Sequence, residues 1–371
     1  MPLDVVQLTR ELITYPSESF RSNVAISDYL EATLQEFGFA TEWLEYTDDQ
    51  GERKASLVGQ RGQGTGGLAF FSHTDTVPGV GWSRDPFTPL EEGERLIGLG
   101  SADMKGPGAA TVVAAASVPE SQLRRPVLVV FTADEEIGGG GAKQVVAESH
   151  LLRDAQLAAG IVAEPTRLVP VYAHKGGAQF IVTAHGVAAH TSTDRGVSAN
   201  FLIIPFLAEM AELAKTLKSD PVHQNAEFDP PTNGFNLVIN DGGVPTNITP
   251  SKTVCRIGFR PMPGDRSDEV IDFIRARAEA HGLEMTWRKL DPFYTPRDSE
   301  IVQAALAATG AERAMTVPFG TDAFFLKTLC PMVVLGPGNI AQAHTDGEWI
   351  EMAQLREAVT VYQRLIQRYC L

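Results

Sequence analysis

At 371 residues the chain exceeds one ordinary domain and suggests about two, at ~100–200 residues each. It is 43% hydrophobic and 21% charged, so a sizeable core can be buried. Its formal net charge of −15 argues against a nucleic-acid partner, which would show a basic footprint. Three widely spaced cysteines, Cys255, Cys330 and Cys370, form neither a disulfide framework nor a CxxC metal site and suit a reducing cytoplasm. The N-terminal residues lack a basic segment followed by a long apolar run, so no signal peptide is expected. The most apolar stretches, Ala109–Val118 and Phe201–Leu207, are too short to span a bilayer, and no membrane partner is expected.

In chain order, Asp4–Tyr15 reads as an amphipathic helix with Val5, Leu8 and Leu12 on one face, and Asn23–Phe37 as a second helix ended by Gly38. Short apolar runs recur at Leu68–Phe71, Val127–Phe131, Ile161–Ala163 and Met332–Leu335. They lack polar alternation, as strands buried on both faces of a sheet do. Helical segments such as Gly106–Ser117 and Gly139–His150 lie between them, which predicts an α/β layered domain. The middle of the chain differs. Ala178–His185 and Lys252–Phe259 read as longer alternating strands, and Ala199–Leu217 and Asp268–His281 as two helices. The expected architecture is a mixed sheet with flanking helices in two sequence pieces, residues 1–174 and 286–371, with an α+β domain inserted at 175–285.

The apolar runs end in polar clusters. Leu68–Phe71 leads to Ser72, His73, Thr74 and Asp75, and Val127–Phe131 leads to Asp134, Glu135 and Glu136. Ile161–Ala163 leads to Glu164, and Met332–Leu335 leads through a Gly-Pro-Gly loop to His344. Ligands of open α/β sheets bind outside the carboxyl ends of the strands, so four such clusters point to one site. Histidines with several carboxylates and no thiolate suit zinc or a similar divalent ion in a catalytic setting. Asp103, in the Gly-rich segment 98–106, is a carboxylate that can approach two metals. Two metals ~3.5–4 Å apart can activate a water and polarise the carbonyl it attacks. Adjacent Glu135 and Glu136 allow one to bind metal while the other stays free as a base.

The phrases SHTDTVPG, GLGSADMKG, TADEEIGGGGAK, AEPT and AHTDGEW, in that order, resemble the aminoacylase and carboxypeptidase family of co-catalytic zinc hydrolases along nearly the whole chain. AHKGG, AHTSTDRGVSAN, RPMPGD and LGPGNIAQAH narrow the likeness to its acetylornithine deacetylase and succinyl-diaminopimelate desuccinylase branch. The resemblance implies that His73 and Glu164 bind one metal, Glu136 and His344 the other, and that Asp103 bridges both. It implies Glu135 as general base and Asp75 as the residue that orients His73. The expected cofactor is two Zn²⁺ per subunit, with Co²⁺ or Mn²⁺ as alternatives, and the partner is a small N-acyl amino acid. Glu164 resembles the deacylase branch, where peptidases usually carry Asp. The inserted domain resembles the family's lid and dimerisation domain, which implies a homodimer. His190 matches its lid histidine, which reaches the neighbouring subunit's site and stabilises the oxyanion there, and Arg260 and Asn247 match substrate-holding positions. Lys175, Gly320 and Thr321 are expected to line the pocket. Two places depart from the pattern: the run Thr345, Asp346, Gly347 and Glu348 after the last histidine, where deacetylases often have another polar run, and Asp322 where relatives often have Glu. Both are expected to flank the pocket.

Some readings stay structural. His150, His223 and His281 lie in helical or loop contexts without partners, and His185 ends a strand near His190. For His174, beside the domain junction, neither reading leads. The Gly138–Gly141 run is not followed by Lys-Ser/Thr, so it suits close helix packing better than phosphate binding.

Overall fold

The computed structural model describes residues 3–264 and 266–371. Met1, Pro2 and the Asp265 that ends the RPMPGD phrase lie outside them. The chain divides into two compact units. The first runs to Tyr172 and resumes over Thr295–Met315 and Thr321–Leu371; the second comprises Ala173–Tyr294 and Thr316–Gly320.

The first unit is built on a mixed sheet in the order Ala40–Thr47, Arg53–Arg61, Val127–Thr132, Leu68–His73, Ala159–Val162, Met332–Val334 and Val171–His174, the last being the strand in which the chain passes into the second unit. The four apolar runs predicted as strands form its centre and pair parallel, Leu68–His73 with Val127–Thr132 and with Ala159–Val162, and Met332–Val334 with Ala159–Val162. Every residue of these four strands is buried, as their unbroken hydrophobicity requires. The strands Ala40–Thr47 and Arg53–Arg61 add antiparallel pairs at one side, which makes the sheet mixed. A separate three-stranded sheet runs Trp349–Glu351, Arg95–Ile97, Leu90–Glu92.

Helix Lys105–Ser117 packs on the central strands and against helices Val5–Ile13 and Met352–Cys370. Its small residues bring it close: a Cβ at Gly108 would sit 3.0 Å from the Phe131 ring. The Gly run has the same purpose. A Cβ at Gly141 would lie 2.3 Å from the Ala133 amide nitrogen and 2.6 Å from Ser56 Oγ, so only glycine lets helix Gly140–Glu148 start against the strand end. The single helix expected over Gly139–His150 breaks at Ser149. There the chain turns extended, and Ser149 caps a second helix, His150–Ala155, by accepting from the Leu152 N–H.

The second unit is a four-stranded antiparallel sheet in the order Gly234–Asn240, Lys252–Arg260, Gly177–His185, Glu284–Leu290. Alternation turns Phe180, Val182 and Ala184 inward beside Cys255, Ile257 and Phe259. Helices Ala199–Ser219 and Ser267–Ala280 close this core with Ile203, Phe206, Met210, Val270 and Ile274. Among the described residues no helix is long and apolar enough to cross a membrane.

Candidate metal centre

Because the central strands run parallel, their carboxyl ends share one edge. His73 is the last residue of its strand, Glu135 and Glu136 form a 3-10 turn just past Thr132, and Glu164 follows Val162 by two residues. Asp103 sits one residue before the cap of helix Lys105–Ser117. His344 lies on the loop after Met332–Val334 in the left-handed region, φ 60°. Asp134, which opens the 3-10 turn, is also left-handed at φ 59°. For non-glycine residues both cost energy, and such strain concentrates at functional sites.

Two groups of candidate ligands result: His73, Asp103 and Glu164, and Asp103, Glu136 and His344. Within each group the ligand atoms lie within 4.8 Å of one another. Asp103 belongs to both, with Oδ1 3.1 Å from His73 Nε2 and Oδ2 3.3 Å from His344 Nε2. Glu164 Oε1 is 3.8 Å from His73 Nε2, and Glu136 Oε1 is 3.1 Å from His344 Nε2. Glu135 belongs to neither group. His73 Nδ1 lies 2.9 Å from the main-chain oxygen of Asp75. A carbonyl only accepts, so Nδ1 carries a proton; with no metal bound Nε2 also carries one and donates to Asp103 Oδ1, and a dication held there would take that proton's place. The Asp75 carboxylate is farther from the ring, at 3.6 Å. It accepts instead from Ser19 Oγ at 2.7 Å and from the Glu135 and Glu136 N–H groups at 3.1 and 3.2 Å. Asp75 thus joins the end of one strand to the Glu135–Glu136 turn at the end of the next.

The donor set fits divalent cations. Burial pushes the Glu135 carboxyl well above the usual range, and the charges of Glu164, Asp322 and Glu136 add to this against the pull of His73. Burial, then the charge of Asp103, does the same to Glu164. Burial also raises Glu136, although His344 donates to it. Hydrogen bonds to Asp103 and Glu136 lift His344 to about 10. Burial lowers the His73 imidazole, but the hydrogen bond to Asp103 and the charges of Asp75 and Glu164 outweigh it and leave the group well above its ordinary value. Burial would raise Asp103, yet hydrogen bonds from His344 and His73 hold it below the usual carboxylate range. So many acids share one buried pocket that they ionise reluctantly, and bound cations would relieve that charge.

Neighbouring polar residues hold the centre in ways no motif displayed. Lys54, fully buried, donates to the carbonyls of Ser19 and Arg21 and lies 2.9 Å from Asp134 Oδ1. Tyr46 donates to Asp134 Oδ2 at 2.7 Å. The two departures from the family phrases are tied within the first unit. Asp322, 5% exposed, accepts from Thr132 Oγ1 at 2.7 Å, and burial raises it to about 6. Asp346 Oδ1 accepts from the Ser83 N–H at 3.0 Å. Glu348, in the same phrase as His344, accepts from three main-chain N–H groups of the Asp103 loop. That phrase was the available signal for Glu348. Nothing local marked Lys54 or Tyr46.

The remaining expected site residues divide between the units. Thr321 opens the last stretch of the first unit, is buried, and its Oγ1 accepts from the Ala323 N–H. Gly320, Lys175, His190, Asn247 and Arg260 belong to the second. His190 is exposed, and its Nδ1 accepts from the Ser192 N–H at 3.2 Å, which leaves Nε2–H as an outward donor. His190 forms an isolated bridge with Ile248, and the Asn247 main-chain carbonyl accepts from the Thr191 N–H. Arg260 is exposed at the end of its strand. Lys175 is buried and donates to the carbonyls of Pro230 and Thr232 at 3.0 and 2.6 Å. Of the histidines read as structural, His150 has a partner in Arg153, and His281 in Glu209 at 3.3 Å. His185 pairs with Glu284 at 2.7 Å.

Known proteins resemble this chain along nearly its whole length. A relative from Proteus mirabilis (strain HI4320), an acetylornithine deacetylase, is 33% identical, with 99% of this chain and 97% of its own covered. A tripeptidase from Staphylococcus aureus subsp. aureus Mu50 superposes at a TM-score of 0.80 with 20% identity over 100% of this chain and 98% of its own. A dinuclear metal-binding peptidase from Bacillus subtilis superposes at 0.67 with 16% identity over 98% and 96%. The model of the peptidase family M20/M25/M40 matches residues 69–368, the span that carries all five candidate ligands and Glu135. This chain belongs to peptidase family M20/M25/M40, a family of hydrolases.

Proposed function

We propose that the protein hydrolyses the amide bond of an N-acyl amino acid, with N-acetyl-ornithine, giving ornithine and acetate, as the favoured substrate and arginine biosynthesis as its setting. The observation that carries this reading is a pair of ligand groups sharing Asp103, with Glu135 beside them and in neither. The likeness to the Proteus mirabilis acetylornithine deacetylase along both chains supports the choice of substrate.

His73, Asp103 and Glu164 would hold one dication and Asp103, Glu136 and His344 the other, two Zn²⁺ per subunit with Co²⁺ or Mn²⁺ also suited to such ligands. Bound there, they supply polarisation of the scissile carbonyl and a lowered pKa for the attacking water. Glu135, beside the ligand Glu136 and in neither ligand group, would take the proton of that water and pass it to the leaving amine. Asp75 keeps Glu135 in place through the turn's N–H groups. His190 would present Nε2–H to the oxyanion in the neighbouring subunit's site, while Arg260 and Asn247 would hold the substrate carboxylate and carbonyl region, with Lys175, Gly320 and Thr321 as further substrate-binding candidates.

We read the second unit, expected over 175–285 but extending through the strand Glu284–Leu290 to Tyr294, as an inserted lid through which two copies pair, and the first unit as the catalytic domain. Gly234–Asn240 is an edge strand, and its Val238 and Ile239 are 57% and 49% exposed. Phe201 and Ile204 on the Ala199–Ser219 helix are 76% and 50% exposed. An unpaired edge with apolar neighbours supports a second copy as partner. Three buried free cysteines fit a reducing cytoplasm.

The test is zinc-reconstituted protein assayed against N-acetyl-ornithine, N-succinyl-diaminopimelate and a panel of dipeptides. The acetyl substrate should be turned over fastest, and preference for a dipeptide would overturn the deacylase reading. Glu135→Gln should retain two metals and lose ~10²–10⁴-fold in kcat. Full activity in that variant would remove Glu135 as base.

A further inference from the structure

We propose that Glu348 is a positioning residue for the metal centre: its carboxylate clamps the backbone of the Asp103 loop and thereby sets the ligand that both groups share. This rests on the two-metal reading above. Glu348 is 1% exposed. Its Oε1 accepts from the Ala102 N–H at 2.7 Å and the Asp103 N–H at 3.0 Å, and its Oε2 from the Gly100 N–H at 3.1 Å. Its own carbonyl accepts from the Gly98 N–H at 2.9 Å. Four N–H groups of one loop therefore end on one residue. A concave run of N–H groups is an anion site, and here the protein fills it with its own side chain.

The placement follows from the pairing of Trp349–Glu351 with Arg95–Ile97. Trp349 opposes Ile97, so the next step along the two strands brings Glu348 to Gly98. Glu348 also lies four residues after His344. One segment thus carries a ligand of the second group and the clamp on the ligand common to both. Asp103 must address His73 with one oxygen and His344 with the other, at 3.1 and 3.3 Å, so a small shift of its main chain disturbs both groups together.

Glutamine is nearly isosteric with Glu348 but has one acceptor oxygen and an NH₂. Whichever way the amide lies, the NH₂ meets a main-chain N–H. In E348Q the metal-free protein should keep its far-UV circular dichroism. Calorimetric titration with Zn²⁺ should show affinity reduced ~10–100-fold for both equivalents. The visible spectrum of the Co²⁺-loaded variant should differ from wild type, and kcat should stay reduced at saturating metal. Should E348Q fail to fold, E348D keeps the charge with a shorter reach, and the same loss is expected in weaker form. Asp346→Asn, which keeps an acceptor for Ser83, should bind metal as wild type does. A variant at Glu348 that melts earlier yet binds Zn²⁺ with wild-type affinity and an unchanged Co²⁺ spectrum would overturn the proposal and leave a merely structural glutamate. Wild-type protein that binds no metal would overturn the two-metal reading and this one with it.

Discussion

Replacing Asp75 by Asn removes one charge and half of the acceptor capacity from a residue that is 1% exposed. The carboxylate accepts three hydrogen bonds, from Ser19 Oγ and from the main-chain N–H groups of Glu135 and Glu136. In the asparagine variant one oxygen becomes NH₂. Ser19 can adapt, because its hydroxyl also reaches the Thr76 carbonyl at 3.1 Å. The main-chain donors cannot turn. Either Glu135 or Glu136 is left with an unpaired N–H, at a cost of about 1–3 kcal/mol, and the surviving bond weakens by about 1 kcal/mol as its acceptor loses charge. We expect a loss of about 2–4 kcal/mol in urea unfolding of the metal-loaded protein. The turn carrying Glu135 also moves, and displacement on the order of 1 Å can cost about 10²-fold in kcat. Metal binding should suffer less, because His73 Nδ1 keeps its nearer acceptor, the Asp75 carbonyl at 2.9 Å. The measurements are urea unfolding, kcat and metal stoichiometry on one preparation. A stability change below about 0.5 kcal/mol with unchanged kcat would refute the role assigned to the carboxylate. Loss of metal with turnover spared per bound ion would return Asp75 to orienting His73 alone.

Lys54→Met should destabilise the protein by about 3–5 kcal/mol in urea unfolding, since it leaves Asp134 buried without its cation and two carbonyls without a donor; a neutral result would mean the pair contributes nothing beyond its volume. The metal-free protein should respond to pH through His344. Its folded value near 10 lies above the ordinary ~6.5, so the stabilisation is complete below about pH 6.5 and is lost as pH rises toward 10. At pH 7 metal uptake should therefore eject protons, visible as a buffer-dependent heat in calorimetry, and apparent affinity should rise with pH. Heats independent of buffer ionisation would contradict the protonated state of His344.

The centre of the fold was legible because its causes are local. Leu68–Phe71, Val127–Phe131, Ile161–Ala163 and Met332–Leu335 are apolar on both faces, which only a buried strand uses, and each is found at the middle of the sheet. Their parallel pairing places the polar ends on one edge, so His73, the Glu135–Glu136 pair, Glu164 and His344 could be gathered from sequence together with Asp103, while the choice of Glu136 as the ligand came from the family resemblance. The strand Arg53–Arg61 was not legible. Lys54 beside its start reads as a solvated charge, and its burial is explained by Asp134, from a distant strand end, by the Ser19 and Arg21 carbonyls, and by Asp48 at 3.6 Å. The break at Ser149 was likewise hidden, because Glu42, 107 residues earlier, accepts from its hydroxyl and from the next main-chain N–H groups.

By itself the sequence determined which residues could ligate metal and which segments must be buried, since residue chemistry and hydrophobic period are properties of short stretches. The tertiary structure alone decided how those residues are held. Glu348 meets Gly100 across 248 positions, and Asp75 meets the Glu135 turn across 60. Such contacts leave no periodic trace in the chain, because a hydrogen bond depends on where two backbones arrive and not on what lies between them.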